Sequence, residues 1–466
     1  MSDFVKKNDV ARADRIVLVG ECMIARPWSR MTGPEFEGVV GIMRGAATTY
    51  AHLETVIGRP DEVDGAKSSD WLGSYLIAEP KMAEELAWAG VDIVSAASNH
   101  SFDFGQGGIR STLAHCRNAG MACAGIGENL EAARAPAYVD GPAGRVALVA
   151  LSSGNKAYEI AGMDKGRIPG RAGVNALRVK TLHVVPPTEA KSLREIGRRL
   201  SILREGGKPG PANVGMEAGE FRFGLPADQS TRAQNAFVEG EEFGTRNLCH
   251  PLDREANLRV IAEARDGADL VLVAHHFNIS DGVRGDAPPN FVRDFAHAAI
   301  DAGADIFIGH GWHRTMGIEI YRGRPIIYGI GNFIAHSEFM SNVPYDSYEA
   351  WGHPVDQLTT LGPNLHPLHP GLDGPSETWW SSAIIEVVLK EGRPAGLRLT
   401  PVELGRDVGP DATMRRPVGK ERYTDGRPLI AEGQNAKAVL DRFARLSRPF
   451  GTELKIEGDT AWIACA

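Results

Sequence analysis

Asn99, His100 and Asp103 stand where the apolar run "DIVSAA" gives way to "SNHSFDFGQGG". An amide, an imidazole and a carboxylate this close together can hold a metal ion and move a proton. The same form recurs along the chain: "RIVLVG" runs into Glu21, "TTYA" into His52 and Glu54, "DLVLVA" into His275 and His276, and "DIFIG" into His310 with His313 close behind. In an open α/β sheet the C-terminal edge of the strands is where ligands bind, so five strand ends that each deliver His or carboxylate predict one site.

Each residue also has a plainer use. Asn99 could form an Asx-turn, and Asp103 could cap a helix starting near Gly105. His275 and His276 are adjacent, so on a strand they face opposite sides and only one can serve the site. His115, His183 and His297 lie in helical or inserted segments without acidic or His company in the sequence and read as structural. His, Asn and carboxylate donors suit a borderline divalent metal, Zn, Mn or Fe. The chain has no GxxxxGK[ST], no GxGxxG after a strand and no GxSxG, which argues against nucleotide binding and a serine-nucleophile elbow.

The elements that must position these residues alternate between short β-branched runs and helical patterns, as in a layered α/β domain. Strands are predicted at 15–20, 92–97, 145–151, 269–275, 305–310, 318–331 and 383–402. The segments "YRGRP" and "KEGRP" read as hairpin turns. Helices are predicted in "PKMAEELAWAG", "GIRSTLAHCRNAG", "DREANLRVIAEARDGA" and "PNFVRDFAHAAIDAGA", each ended by glycine. Residues 1–405 read as one catalytic domain interrupted by an insertion, 155–250, with one good helix, and by a long loop, 336–380, rich in Pro, His and aromatics. Residues 406–466 read as an extension whose final hairpin returns to the main sheet.

The 466 residues carry 51 Lys and Arg against 59 Asp and Glu, a formal charge of −8 that gives no reason to expect a nucleic-acid partner. The basic stretch at 191–208 is spaced for a solvated helix face. Five scattered cysteines suit reduced thiols in a cytoplasmic setting rather than a disulfide framework. No window reaches the roughly 18 apolar residues of a membrane span. The expected partner is a small or peptide-like substrate, with a homo-oligomer left open.

Two long segments, "SNHSFDFGQGGIRSTLAHCRNAGMACAGIGENLEAARAPAYV" and "IDAGADIFIGHGWHRTMGIEIYRGRPIIYGIGNFI", resemble the CapA family of poly-γ-glutamate capsule-synthesis proteins. The resemblance covers most of residues 14–152 and 255–335. It implies a calcineurin-like metallophosphatase fold: a four-layer αββα sandwich of two mixed sheets flanked by helices, with the site at one edge. The departures weaken a two-metal centre. Glu21 stands in the place of the family's first Asp, Met23 where metallophosphatases have His, His52 in place of Asn beside a retained Glu54, and Gly311 in place of the first His of the last motif. Two metals about 3.5–4 Å apart need a bridging carboxylate and a fuller ligand set.

One metal held by some of His52, Asn99, His276, His310 and His313 is within reach of these residues, and so is no metal at all. The leading expectation is a metal-dependent hydrolase of amide, peptide-like or related bonds. In it His100 protonates the leaving group, Asp103 orients its ring and Glu21 lies beside the reacting atoms. Arg26, Trp312 and Glu54 are the candidate substrate contacts, and Trp28 divides evenly between cleft and core. The alternatives are a metal-free epimerase or lyase working by acid and base, a phosphoesterase, and a non-catalytic accessory of poly-γ-glutamate synthesis.

Overall fold

The structure, a computed structural model, describes residues 14–66, 75–207, 216–224, 236–281, 286–336, 340, 344–350, 378–405, 416–418, 422–424 and 426–465. It is a mixed α/β fold built on two large sheets. The first runs in the order Lys455–Glu457, Thr460–Ala464, Arg393–Leu404, Ser381–Lys390, Arg15–Met23, Thr48–Leu53, Ile93–Ser95 and Ala122–Ala124. The second runs Ile318–Tyr321, Arg324–Ile327, Ile306–His310, Leu270–Phe277, Gly144–Ser153 and Ala137–Gly141.

Strand alternation decides what each sheet faces. Ile16, Leu18, Tyr50 and Ile93 of the first sheet share one core with Val146, Leu148, Ala150, Leu270, Leu272, Ala274, Ile306 and Ile308 of the second. The intervening residues turn the other way. Val17, Val19 and Ala51 meet Phe36, Val39 and Met43 of the helix Pro34–Arg44, and Ala83 and Leu86 of Lys81–Trp88. Val271, Val273 and Phe307 meet Phe291, Phe295 and Ala299 of the helix Asn290–Asp301. A one-residue slip of the strand Leu270–Phe277 would exchange these faces and trade His276 for His275, so its apolar alternation pins the histidine that reaches the space between the sheets.

Glycine makes one critical junction. The strand Arg15–Met23 pairs with Ser381–Lys390 through Arg15 to Leu18, then with Asn332–Ala335 through Glu21 to Met23. At the fork a Cβ on Gly20 would lie 1.8 Å from the Gly331 carbonyl oxygen, so only glycine permits the approach. The Glu21 amide donates to that oxygen at 3.0 Å.

The insertion carries more regular structure than the one good helix read from its sequence. The helix is there, Pro187–Arg199, but it accompanies a five-stranded sheet in the order Leu203–Glu205, Phe221–Phe223, Ala236–Glu239, Val179–Val185 and Gly244–Cys249. These strands are short and their faces half-exposed, so they carry little of the apolar alternation that marks the main sheets. At the C-terminal end Thr460–Ala464 pairs antiparallel with Arg393–Leu404. Most of the 336–380 loop lies outside the described residues. No helix among the described residues is long and apolar enough to cross a membrane.

Candidate functional site

Two rows of paired residues face each other at one edge of the inter-sheet core. In the first sheet Asn332, Glu21, His52 and Ser95 are neighbours in register. In the second, Ser152, His276 and His310 are. His276 and His310 continue the inward-facing series 270, 272, 274 and 306, 308, so the apolar filling between the sheets is replaced at its last rung by imidazoles and a carboxylate. His52 bridges the rows, stacked on His310 with ring centroids 4.3 Å apart and with Nε2 2.9 Å from His276 Nδ1.

Glu21, Glu54 and His313 place a carboxylate oxygen, a second carboxylate oxygen and a ring nitrogen within 4.8 Å of one another. Glu21 accepts from the Gly311 backbone N–H at 2.6 Å and pairs closely with His313 Nδ1. His313 Nδ1 is also 2.9 Å from Asn332 Oδ1 and 3.7 Å from Glu54, and its ring lies against Trp379. Glu54 is fully buried, no donor among the described residues reaches either carboxylate oxygen, and the Glu21 carboxyl is its side-chain hydrogen-bond neighbour. A buried carboxyl without a donor is costly, so such a group either keeps its proton or takes a cation.

Charge follows from this packing. Burial alone would raise the Glu21 carboxyl, but His313, His276 and His310 outweigh it and hold it well below the usual carboxylate range. Burial and the carboxylates of Glu21 and Asp103 push Glu54 well above that range, against the pull of His313. His313 rises to about 9 because Glu21 and Glu54 overcome its burial. His52 and His276 are driven down by burial, and His310 falls to about 4 for the same reason, so all three are neutral imidazoles at neutral pH.

Asn99 reaches this cluster, its side-chain amide 2.7 Å from His276 Nε2. His100 Nδ1 lies 2.7 Å from Asp103 Oδ2, which also accepts from the Leu76 backbone N–H at 2.8 Å. Asp103 is therefore no helix cap: the helix Gly105–Asn118 begins at Phe104 without a side-chain cap. His275 turns away, ringed by Phe277, Phe291, Phe295 and Phe307 and bonded through Nε2 to Ser153 Oγ at 2.9 Å.

Trp312 packs in the helix-facing core against Phe277, Trp28 is fully buried between Phe36 and Phe333, and Arg26 is half-buried after the first strand. His115 and His297 do have acidic company in space, Glu62 at 2.9 Å and Glu319 at 3.0 Å. Both pairs form between segments distant in the chain, which spacing does not reveal. Tyr50, Ser95, Asn278 and Asn332 belong to the cluster and escape a sequence reading. Asn332, as the register partner of Glu21, had a signal only in the apolar run that precedes it.

Gly311 explains the absent histidine of the last motif. Its φ is 109°, and a Cβ there would sit 2.5 Å from both the Phe277 carbonyl oxygen and the side-chain amide of Asn278. The turn trades a ring for a backbone N–H aimed at Glu21. Gly311→Ala is expected to destabilise the fold by about 2 kcal/mol, through forced positive φ and overpacking, read as a lower urea midpoint at unchanged m value.

Residues 15–337 match the family model described as bacterial capsule synthesis protein PGA_cap. Two proteins of Sinorhizobium fredii, the uncharacterized proteins y4sH and y4uA, are each 30% identical over 450 residues, spanning 95% of this chain and 91% of theirs. The PGA biosynthesis protein CapA of Bacillus subtilis is 42% identical over 85 residues, 18% of this chain and 21% of CapA.

Proposed function

The chain belongs to the bacterial capsule synthesis protein family PGA_cap, and from that premise we propose that it is a metal-dependent hydrolase of an amide, peptide-like or related bond in a small or γ-glutamyl-type substrate. The observation that carries the proposal is the cluster around Glu54: two buried carboxyls and an imidazole converge, and among the described residues neither Glu54 oxygen has a donor. This donor set fits one divalent ion, Zn, Mn or Fe, with Glu21, Glu54 and His313 as the holders. His52, Asn99, His276 and His310 surround that set. When bound, such an ion supplies Lewis-acid polarisation of a carbonyl and a bound water of pKa about 7. The family's four-layer sandwich is supported by the helices that pack on the outer faces of the two sheets.

The chain's own residues do the rest. The Gly311 N–H fixes one oxygen of Glu21, and Asn332 holds the His313 ring in place. Asp103, itself pinned by the Leu76 amide, keeps a proton on His100 Nδ1, so the bare Nε2 is the nitrogen that takes a proton from the attacking water and hands it to the leaving amine. Arg26 and Trp312 remain the candidate substrate contacts, and the reduced cysteines suit a cytoplasmic enzyme.

The test is release of free amine from a panel of γ-glutamyl amides after chelation and re-addition of Zn, Mn or Fe. Metal-restored release is expected. Release that chelation leaves untouched, or phosphomonoester hydrolysis alone, contradicts the reading. One observation favours a second reading: Glu21 and Glu54 are pushed in opposite directions, the pattern of a carboxylate acid and base. That metal-free epimerase predicts solvent deuterium at a substrate carbon next to a carbonyl, without amine release.

Metal binding should release protons, since burial and Glu21 raise the Glu54 carboxyl well above its usual range and the two carboxylates raise His313 to about 9. Apparent affinity is therefore expected to climb as pH rises towards about 9, measured by calorimetry in two buffers of different ionisation enthalpy. The stability of the chelated protein should move oppositely. The raised His313 value contributes stability that is complete below its ordinary value of about 6.5 and is lost as pH rises through about 9. A melting temperature of the chelated protein that holds or rises between pH 7 and 9 contradicts this.

A further inference from the structure

Six hydrogen bonds form a continuous chain that links strand residues of the two sheets to Asn99 and Asn278, buried except at the half-buried Asn278. The Asn278 side-chain amide is 3.0 Å from that of Asn99, which is 2.7 Å from His276 Nε2. His276 Nδ1 is 2.9 Å from His52 Nε2, and His52 Nδ1 is 2.6 Å from Ser95 Oγ. Ser95 Oγ is 2.7 Å from the Tyr50 hydroxyl, which is 2.8 Å from His310 Nε2. Imidazoles and hydroxyls can pass such a chain in either direction.

Here one end decides. The Asn278 amide atom nearest the backbone lies 3.0 Å from the Gly311 carbonyl oxygen and 3.1 Å from that of Phe277, and two carbonyls can only accept. That atom is the nitrogen. The Asn278 oxygen then faces Asn99, whose nearer amide atom must donate and is also a nitrogen. His276 Nε2 accepts from it, so the His276 proton sits on Nδ1 and is donated to His52 Nε2. His52 in turn donates from Nδ1 to Ser95, Ser95 to Tyr50, and Tyr50 to His310 Nε2. The last proton is left on His310 Nδ1, a buried atom with no partner among the described residues. The three neutral imidazoles are compatible with this single direction.

We infer that Asn278, Asn99, His276, His52, Ser95 and Tyr50 form one directed relay whose outlet is the Nδ1–H of His310, a donor held for an oxygen acceptor brought by a ligand. His52, His276 and Tyr50 are then positioning residues rather than metal holders. Burying an N–H with no acceptor is costly, which is why the site is built for an occupant that supplies one. The identity of that acceptor as the carbonyl oxygen of the scissile bond rests on the hydrolase reading. The direction of the relay does not.

Neutron diffraction from crystals of the perdeuterated, chelator-treated full chain reads every position at once. The expected result is deuterium on Nδ1 of His52, His276 and His310, none on their Nε2 atoms, and the amide nitrogen of Asn99 towards His276. The same tautomers are readable from ring nitrogen shifts of 15N-histidine-labelled protein in solution, with Tyr50→Phe freeing the His310 tautomer while His52 and His276 keep theirs. Deuterium on Nε2 of His276 or His310 reverses the relay, turns His310 Nδ1 into a bare lone pair and overturns the inference. Neither measurement uses activity, so a chain that hydrolyses no γ-glutamyl amide can still carry the relay, and an active hydrolase can still lack it.

Discussion

Glu21→Gln is expected to lower divalent-metal affinity by more than about 100-fold, beyond the 10- to 100-fold typical of losing a residue that only supports a ligand. The side chain keeps its size, and the Gly311 N–H can still find an amide oxygen. What goes is the negative charge that a buried, doubly carboxylated site needs against a cation. The same change takes away the close partner of His313, whose raised value depends on Glu21 first among its charged neighbours. His313 should therefore titrate well below its present value of about 9 in the variant, followed by NMR on the chelated protein. Metal affinity within a few fold of the parent would mean that Glu21 only shapes the turn at Gly311.

His100→Ala is expected to reduce kcat by about 10²- to 10⁴-fold on amides with poor leaving groups, the usual contribution of a placed acid–base group. The loss should shrink on activated anilides or aryl esters, whose leaving groups depart without a proton. Asp103→Asn should share the pattern, because an amide in its place can present a hydrogen to Nδ1 and favour the other tautomer. A His100→Ala loss that is uniform across leaving groups would place His100 in binding or in the loop's structure. Comparing kcat along a leaving-group series separates these outcomes.

How much of this was readable beforehand depends on which physical signal each part rests on. The main strands announce themselves through β-branched runs, and the alternation in "DLVLVAHHF" is enough to send one histidine inward and its neighbour outward, as His276 and His275 are placed. The strand-end polar residues Glu21, His52, Glu54, Asn99, His276, His310 and His313 are brought to one edge because parallel strands share that edge. Their division of labour was not readable. Register between strands far apart in sequence puts Glu21 beside Asn332, and a backbone fork at Gly20 aims it; neither leaves a mark in local patterning. Tyr50 and Ser95 occupy inward strand positions where an apolar residue would serve equally well, so their roles emerge only from partners on other strands. Glu54 reads from the sequence as a substrate contact, and its full burial beside Glu21 and His313 emerges only from the fold. The insertion's sheet is hidden for a different reason: its strands are short and half-exposed, and they pair across long stretches of chain.

The central claim is that Glu21, Glu54 and His313 hold one divalent ion. Its most direct test is metal content by plasma mass spectrometry on the full chain, purified without a metal affinity column and equilibrated with Zn, Mn and Fe. The parent and a Glu21→Gln, Glu54→Gln double variant would be compared, with circular dichroism to establish that both are folded. About one ion per parent chain and essentially none in the folded variant is the predicted result. A parent that takes up no metal, or a variant that retains it, contradicts the claim, and two ions per chain would move the site towards a phosphoesterase centre.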